Sequence, residues 1–260
     1  MVKKVRTGLT KFFDIICSKF CTDDLVHEIM YLRGYTSQEM FDTIKEMGVF
    51  KVKHSTDLLL LSDVTMEDLK IWGICDKDGK FLLSERYVFA IKDISGNVTA
   101  LVGWDKDGGP KKYLTTSTYG FSRDACFFNL DCYKYSMEKC NGVIYVVEGI
   151  FDTIALRSLG FAVIGNMGLE MSKIKSEILT RFKKVIAIHD NDMAGKGTNP
   201  MLNGISGKSP RFIWKIQNQF VFVLLPTGVK DIDELIRDYE CYDDLVESQN
   251  AQYLKRLYIN

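Results

Sequence analysis

Proline is scarce in this chain, at 4 of 260 residues. So few ring-constrained positions exclude a proline-rich linker, and no low-complexity tract or internal repeat takes its place. Long hydrophobic runs are missing too. No stretch reaches the roughly 18 consecutive apolar residues of a membrane-spanning helix, so no membrane partner is expected. Neither sign of charge predominates, with Lys+Arg and Asp+Glu at 34 each. That balance neither demands nor excludes nucleic acid. A strand-binding face would need local basic clustering, offset by acidic residues elsewhere. Cys-x-x-Cys pairs are absent. The 7 cysteines, at 17, 21, 75, 126, 132, 140 and 241, follow no disulfide framework. An odd count suits free thiols in a reducing, cytoplasmic setting. Cys17 and Cys21 have His27 nearby but no evident fourth ligand, so no zinc is expected. The opening segment is basic and then apolar. Lys11, Asp14 and Lys19 interrupt it and no small-residue cleavage site follows, so a secretory leader is not expected. No Gly-rich Lys-Ser/Thr loop is found, which argues against an ATP-driven motor.

What remains is the composition of an ordinary globular protein, 46% hydrophobic and 26% charged, with room for one large domain or two small ones. Leu25, Ile29, Leu32, then Met40, Ile44 and Met47 recur at three- and four-residue steps, which predicts helices within 8–48. Strands are expected near 57–61 and 86–92, with a short helix in VTMEDLKIWGI between them. Asp76-Lys77-Asp78-Gly79 and Ser95-Gly96-Asn97 read as hairpin turns, so 81–128 should form an antiparallel or mixed sheet. From 142 onward strands and helices alternate. Strands fall near 143–147, 161–164, 185–188 and 220–225, and helices near 152–159 and 172–182. The tail beyond is amphipathic. The expected fold class is α/β, a largely parallel sheet flanked by helices, preceded by a smaller α+β basic subdomain. The expected divisions are a helical lead-in over 1–80, a mixed α+β subdomain over 81–141, a metal-binding sheet domain over 142–235 and a closing helical tail over 236–260.

Three acidic stations punctuate the alternating half: Glu148 in YVVEGIFDTIAL, Asp190 with Asp192 in VIAIHDNDMAG, and Asp231 with Asp233 in VKDIDEL. Successive stations lie 42 and 41 residues apart, enough for one helix-containing crossover between parallel strands. The first two follow short β-branched runs and so should fall at strand ends, on the carboxyl edge where α/β sites form. Like charges gathered there repel by roughly 3–4 kcal/mol per pair at 4–6 Å in an effective dielectric near 20. Divalent cations with oxygen ligands relieve that repulsion, and Mg²⁺ is the usual choice when phosphates are the substrate. Each station alone has a plain alternative: a solvated glutamate ahead of a helix for Glu148, a turn for Asp190 and Asp192, a helix N-cap for Asp233. Their joint occurrence favours the metal reading.

EGIFDTIAL together with HDNDMAG resembles the Toprim domain of primases, topoisomerases and some nucleases. Upstream, RYVFAIKDISGNVTALVGW and KKYLTTSTYGFSRDACFFNL resemble the segment that precedes Toprim in bacterial-type DNA primases, and LRGYTSQEMFDTIKEMGVF resembles that family's small helical motif. The resemblance spans about residues 25–238. It implies that Glu148 is catalytic and a metal ligand, and that Asp190, Asp192, Asp231 and Asp233 hold two or more Mg²⁺ or Mn²⁺ ions. Asp152 matches an acidic position of the same motif, with a helix-capping role as the alternative. Arg86, Lys112 and Arg123, with Lys92 and Lys111 behind them, match basic positions that contact nucleotide or template. The loop at 165–168 could approach phosphates through its N–H groups or be only a tight turn. One departure is Val102-Gly103-Trp104, where the family often has Gly-Gly-Arg. The chain also shows neither the family's zinc ribbon nor its helicase-binding domain. The implied protein is a stripped-down primase core of the phage kind. It would make short RNA primers on single-stranded DNA from ribonucleoside triphosphates, with a replicative helicase or template-reading subunit as separate chains. A Toprim nuclease and a non-catalytic DNA-binding replication factor are the alternatives.

Overall fold

Leu9, Phe12, Phe13 and Ile16 fall on one face of α1 (Val2–Phe20), and all are buried. That helical stripe is part of the apolar core of the first half. The computed structural model describes residues 1–61, 63–109, 111–167, 171–190, 220–225 and 228–241. The described chain divides into two compact units, Met1–Arg33 with Phe41–Arg123, and Gly34–Met40 with Asp124–Asn260.

In the first unit, α2 (Asp23–Arg33), all of α3 (Gln38–Met47) but its first three residues, α4 (Ser55–Leu61) and α5 (Met66–Ile71) follow α1. A three-stranded antiparallel sheet comes next, β1 (Tyr87–Lys92), β2 (Val98–Trp104) and β3 (Tyr113–Thr115), in the order β1-β2-β3. Tyr87 pairs with Trp104, and Trp104 with Tyr113. The α1 stripe shares one apolar cluster with Trp72, Val88, Ala90, Val98 and Leu101. The β1–β2 turn is set by Asp93, whose Oδ1 accepts the N–H groups of Ser95 (2.9 Å) and Asn97 (3.0 Å). One expectation is overturned here. Residues 57–61 form helix α4, not a strand. The run is leucine, unbranched at Cβ and helix-favouring. Asp57 Oδ2 accepts the His54 N–H at 3.3 Å and so tethers the helix start.

The second unit alternates as the sequence predicts: α6 (Tyr133–Lys139), β4 (Val143–Val147), α7 (Ile150–Ser158), β5 (Val163–Gly165), α8 (Lys173–Leu179), β6 (Lys184–His189), β7 (Phe220–Leu224) and α9 (Ile232–Cys241). Its four strands run parallel in the order β5-β4-β6-β7. β4 is central and almost wholly buried, which explains its unbroken apolar run VIYVV. Gly165 ends β5 at a close approach. A Cβ there would lie 2.7 Å from Thr153 Oγ1 and 2.9 Å from the Gly149 carbonyl. The α/β class, with a largely parallel sheet following an antiparallel α+β region, is therefore the one expected.

Candidate metal and nucleotide site

β4 and β6 are neighbours in register, Val146 beside Ala187. Their carboxyl ends therefore deliver Glu148 and Asp190 to the same edge. The Asp190 N–H donates to Glu148 Oε1 at 3.3 Å, and both residues are partly exposed. Gly149 follows Glu148 and opens α7. Its N–H donates to Asp152 Oδ2 at 3.1 Å, and a Cβ on it would lie 2.7 Å from that oxygen. Asp152 thus lies in the first turn of α7, where its carboxylate accepts from the backbone at the helix start, and it is buried.

The third station splits. Asp231 is partly exposed just ahead of α9. Its Oδ1 accepts the Glu234 N–H at 2.8 Å, and Lys230 Nζ lies 3.3 Å from its Oδ2. Asp233 is 2% exposed and faces inward. Its Oδ1 accepts the Tyr35 hydroxyl, its Oδ2 lies 3.8 Å from an Arg237 nitrogen, and its N–H reaches Asp152 Oδ1 at 3.3 Å. The structure thus brings together Glu148 with Asp190, and separately Asp152 with Asp233. Asp192 lies outside the described residues, as does Gly168 of the 165–168 loop. Among the described residues no three His, Cys, Asp or Glu side chains form a metal-binding group. The oxygen donors at the edge, half-exposed and on adjacent strands, are nonetheless of the kind that hard divalent cations take.

The basic residues belong to the first unit. Arg86 is committed within it. One terminal nitrogen donates to the carbonyls of Lys111 (2.8 Å), Lys112 (3.4 Å) and Gly103 (3.5 Å), and the other lies 3.3 Å from Asp105 Oδ2. Gly103 makes room for this, since a Cβ there would lie 2.9 Å from Arg86 Cδ. Arg86 therefore staples the β2–β3 connection. Lys111, Lys112 and Arg123 are exposed, with Lys112 Nζ 5.6 Å from the Tyr113 ring centre. Lys92 is half-buried at the end of β1. Trp104 packs 5.0 Å from Tyr87 and has the Arg33 guanidinium 6.0 Å from its ring.

Sequence reasoning missed Tyr35 and Lys175, and touched Asn166 only as part of the 165–168 loop. Tyr35 looked like part of a helical motif. Lys175 lies in SKIKSEIL, within the helix expected near 172–182, yet it is 4% exposed. Burial holds its ammonium pKa below the usual lysine value. No local pattern announces either residue.

The four-stranded parallel sheet with acidic residues on its carboxyl edge lies, but for the first two residues of β4, in the stretch, residues 145–236, that the Toprim-like family matches. The DNA primase of Thermotoga maritima is 30% identical over 183 residues, covering 67% of this chain and 30% of its own. The chain spans less than a third of the length of the curated relatives it matches. The RNA polymerase domain of Mycobacterium tuberculosis primase DnaG, solved with a double-stranded DNA oligomer carrying a 6-nucleotide overhang, superimposes with a TM-score of 0.70 at 17% identity, over 98% of this chain and 80% of that one. A DnaG primase catalytic domain bound to single-stranded DNA gives 0.66 at 19%, over 99% and 78%. In sequence the chain is similar to bacterial DNA primases, and its fold is that of their catalytic cores.

Proposed function

We propose that the chain synthesises short RNA primers on single-stranded DNA by metal-dependent nucleotidyl transfer. The observation that carries this reading is the meeting of Glu148 and Asp190 at the carboxyl edge of two adjacent parallel strands, in a fold of the primase-core type. In this reading Glu148, Asp190, Asp192 and Asp231 would hold Mg²⁺ or Mn²⁺. Asp233 would serve the same ions indirectly, by fixing the start of α9 beside Asp231. A divalent ion bound there would polarise the α-phosphate of a ribonucleoside triphosphate and neutralise charge developing on pyrophosphate. The chain's own residues orient the reactants. The Asp190 N–H holds the Glu148 carboxylate in place, and template pairing selects the base. Lys111, Lys112 and Arg123 would attract the phosphate backbone of the template. Arg86, spent on carbonyls, would shape that basic segment rather than touch nucleic acid.

The deciding experiment supplies single-stranded templates, labelled ribonucleotides and Mn²⁺ or Mg²⁺ to the purified chain. Short RNA products are expected, chelation should abolish them, and Glu148→Gln or Asp190→Asn should lower yield by about 100-fold or more, as when charge stabilisation at a transferring phosphate is lost. Template degradation without ribonucleotide incorporation would identify a nuclease instead. Template binding with neither reaction would identify a non-catalytic replication factor.

A further inference from the structure

A lysine ammonium taken out of water is costly unless it is hydrogen-bonded, so an apolar residue would suit most buried positions better than Lys175. Here the ammonium is directed at Asn166, which is 0% exposed. Nζ donates to the Asn166 carbonyl and, at 2.9 Å, to its Oδ1, while the Phe127 ring lies 5.2 Å away. Asn166 follows β5 directly, and the two N–H groups there fasten the end of β4. The Asn166 N–H donates to the Val147 carbonyl at 2.8 Å, and the Met167 N–H donates to the Glu148 carbonyl at 3.1 Å. Met167 makes this bond from a left-handed conformation, φ 57°. That conformation is uncommon for a non-glycine residue and persists only where surrounding contacts hold it. The ordinary alternative is a lysine that merely fills space under α8. It does not explain why both bonds converge on Asn166, whose own N–H holds the Val147 carbonyl and whose neighbour Met167 holds that of Glu148.

We propose that Lys175 is a positioning residue for Glu148, acting through Asn166 to hold the carboxyl end of β4 in the geometry the acidic edge requires. The proposal rests on reading that edge as the nucleotidyl-transfer site. Lys175 does not itself touch substrate. Loss of the brace lets Glu148 shift, and displacements of about 1 Å at a reacting centre cost on the order of 100-fold in rate.

Lys175→Met, Asn166→Ala and the double variant, made in the full chain, test this by hydrogen exchange and by steady-state primer synthesis. Lys175→Met is expected to speed exchange of the Asn166 and Met167 amides by about 10-fold or more, with β6 and α7 still protected. It should lower kcat on the order of 10- to 100-fold while KM for ribonucleotide stays within about twofold, the signature of lost alignment. The double variant should be no worse than the poorer single one, because the residues act as one unit. Unchanged exchange at both amides, additive losses, or a fall confined to KM would overturn the proposal. Should Lys175→Met not fold, Asn166→Ala decides alone: unchanged kcat would overturn it and reduced kcat would support it. A wild-type chain that makes no primer would defeat the functional reading, while the exchange measurement would still decide whether Lys175 braces this strand.

Discussion

Tyr35 and Asp233 stand 198 positions apart and are joined by one hydrogen bond. Both are buried, and a carboxylate withdrawn from water needs donors on its oxygens. Tyr35 supplies one, and Arg237 lies within ion-pair range of the other. Tyr35→Phe removes only the hydroxyl and leaves Asp233 Oδ1 without that donor. It is expected to cost about 1–3 kcal/mol of folding stability, read from urea unfolding, since hydrogen bonds to charged groups lie in that range. A variant as stable as the parent would show that the bond contributes nothing. Arg86 carries the same lesson in the opposite sense. Its match to a basic position of the resembled family marked it as a candidate for phosphate, yet both of its terminal nitrogens engage the β2–β3 connection. Charge and position are visible in a chain of letters, but hydrogen-bond partners are not.

Among the elements, α5 is a case where local chemistry decides the outcome unaided. Thr65 Oγ1 accepts the Asp68 N–H at 3.2 Å, and the Thr65 N–H donates back to Asp68 Oδ2 at 2.9 Å. This reciprocal cap lies within four residues and was legible in VTMEDLKIWGI. The Thr65 hydroxyl and N–H, both donating to it, hold the Asp68 carboxyl below its ordinary value of 3.8. A carboxyl whose folded-state pKa is depressed adds stability that is fully present above the unfolded value and disappears as pH falls through the folded one. Asp68→Ala should therefore cost about 1 kcal/mol at neutral pH, and the gap to the parent should close below pH 3.8, as thermal unfolding across that range would reveal. β5 is the contrasting case, because its constraint comes from elsewhere in the fold. Gly165→Ala would force a methyl against Thr153 Oγ1 and the Gly149 carbonyl, both under 3.0 Å. Overpacking of that kind typically costs about 1–3 kcal/mol, so a drop in urea midpoint with an unchanged slope is expected. An unaltered midpoint would mean that β5 and α7 can move apart freely.

For the whole molecule, a formal charge of zero means that any hold on single-stranded DNA comes from local clustering rather than the overall field. Lys111, Lys112 and Arg123 are exposed cations on the first unit. Replacing all three by alanine should weaken single-strand binding. It should also flatten the plot of log affinity against log salt by roughly 0.7 for each phosphate that is no longer neutralised. A slope identical to the parent's would remove these residues from the template path. Measuring the slope matters more than a single affinity, because a misfolded variant loses affinity without this graded change.

The alternation of apolar runs with helical stripes announced the parallel sheet, and the β-branched runs ahead of Glu148 and Asp190 put those two residues at its strand ends. Those features were readable because strand and helix periodicity, turn residues and strand-end placement are short-range properties of the chain. Leucine repeats misled at 57–61, where helix propensity overrode an apolar run that could equally have been a strand. Which carboxylates face the edge and which turn inward was decided only by packing. Asp231 and Asp233 are two residues apart with the same side chain, yet one is partly exposed and the other buried against Tyr35. The same holds for Lys175, indistinguishable from its surface neighbours until α8 lies against the turn after β5. Burial and partnership arise from the meeting of distant segments, and no pattern confined to one segment encodes them.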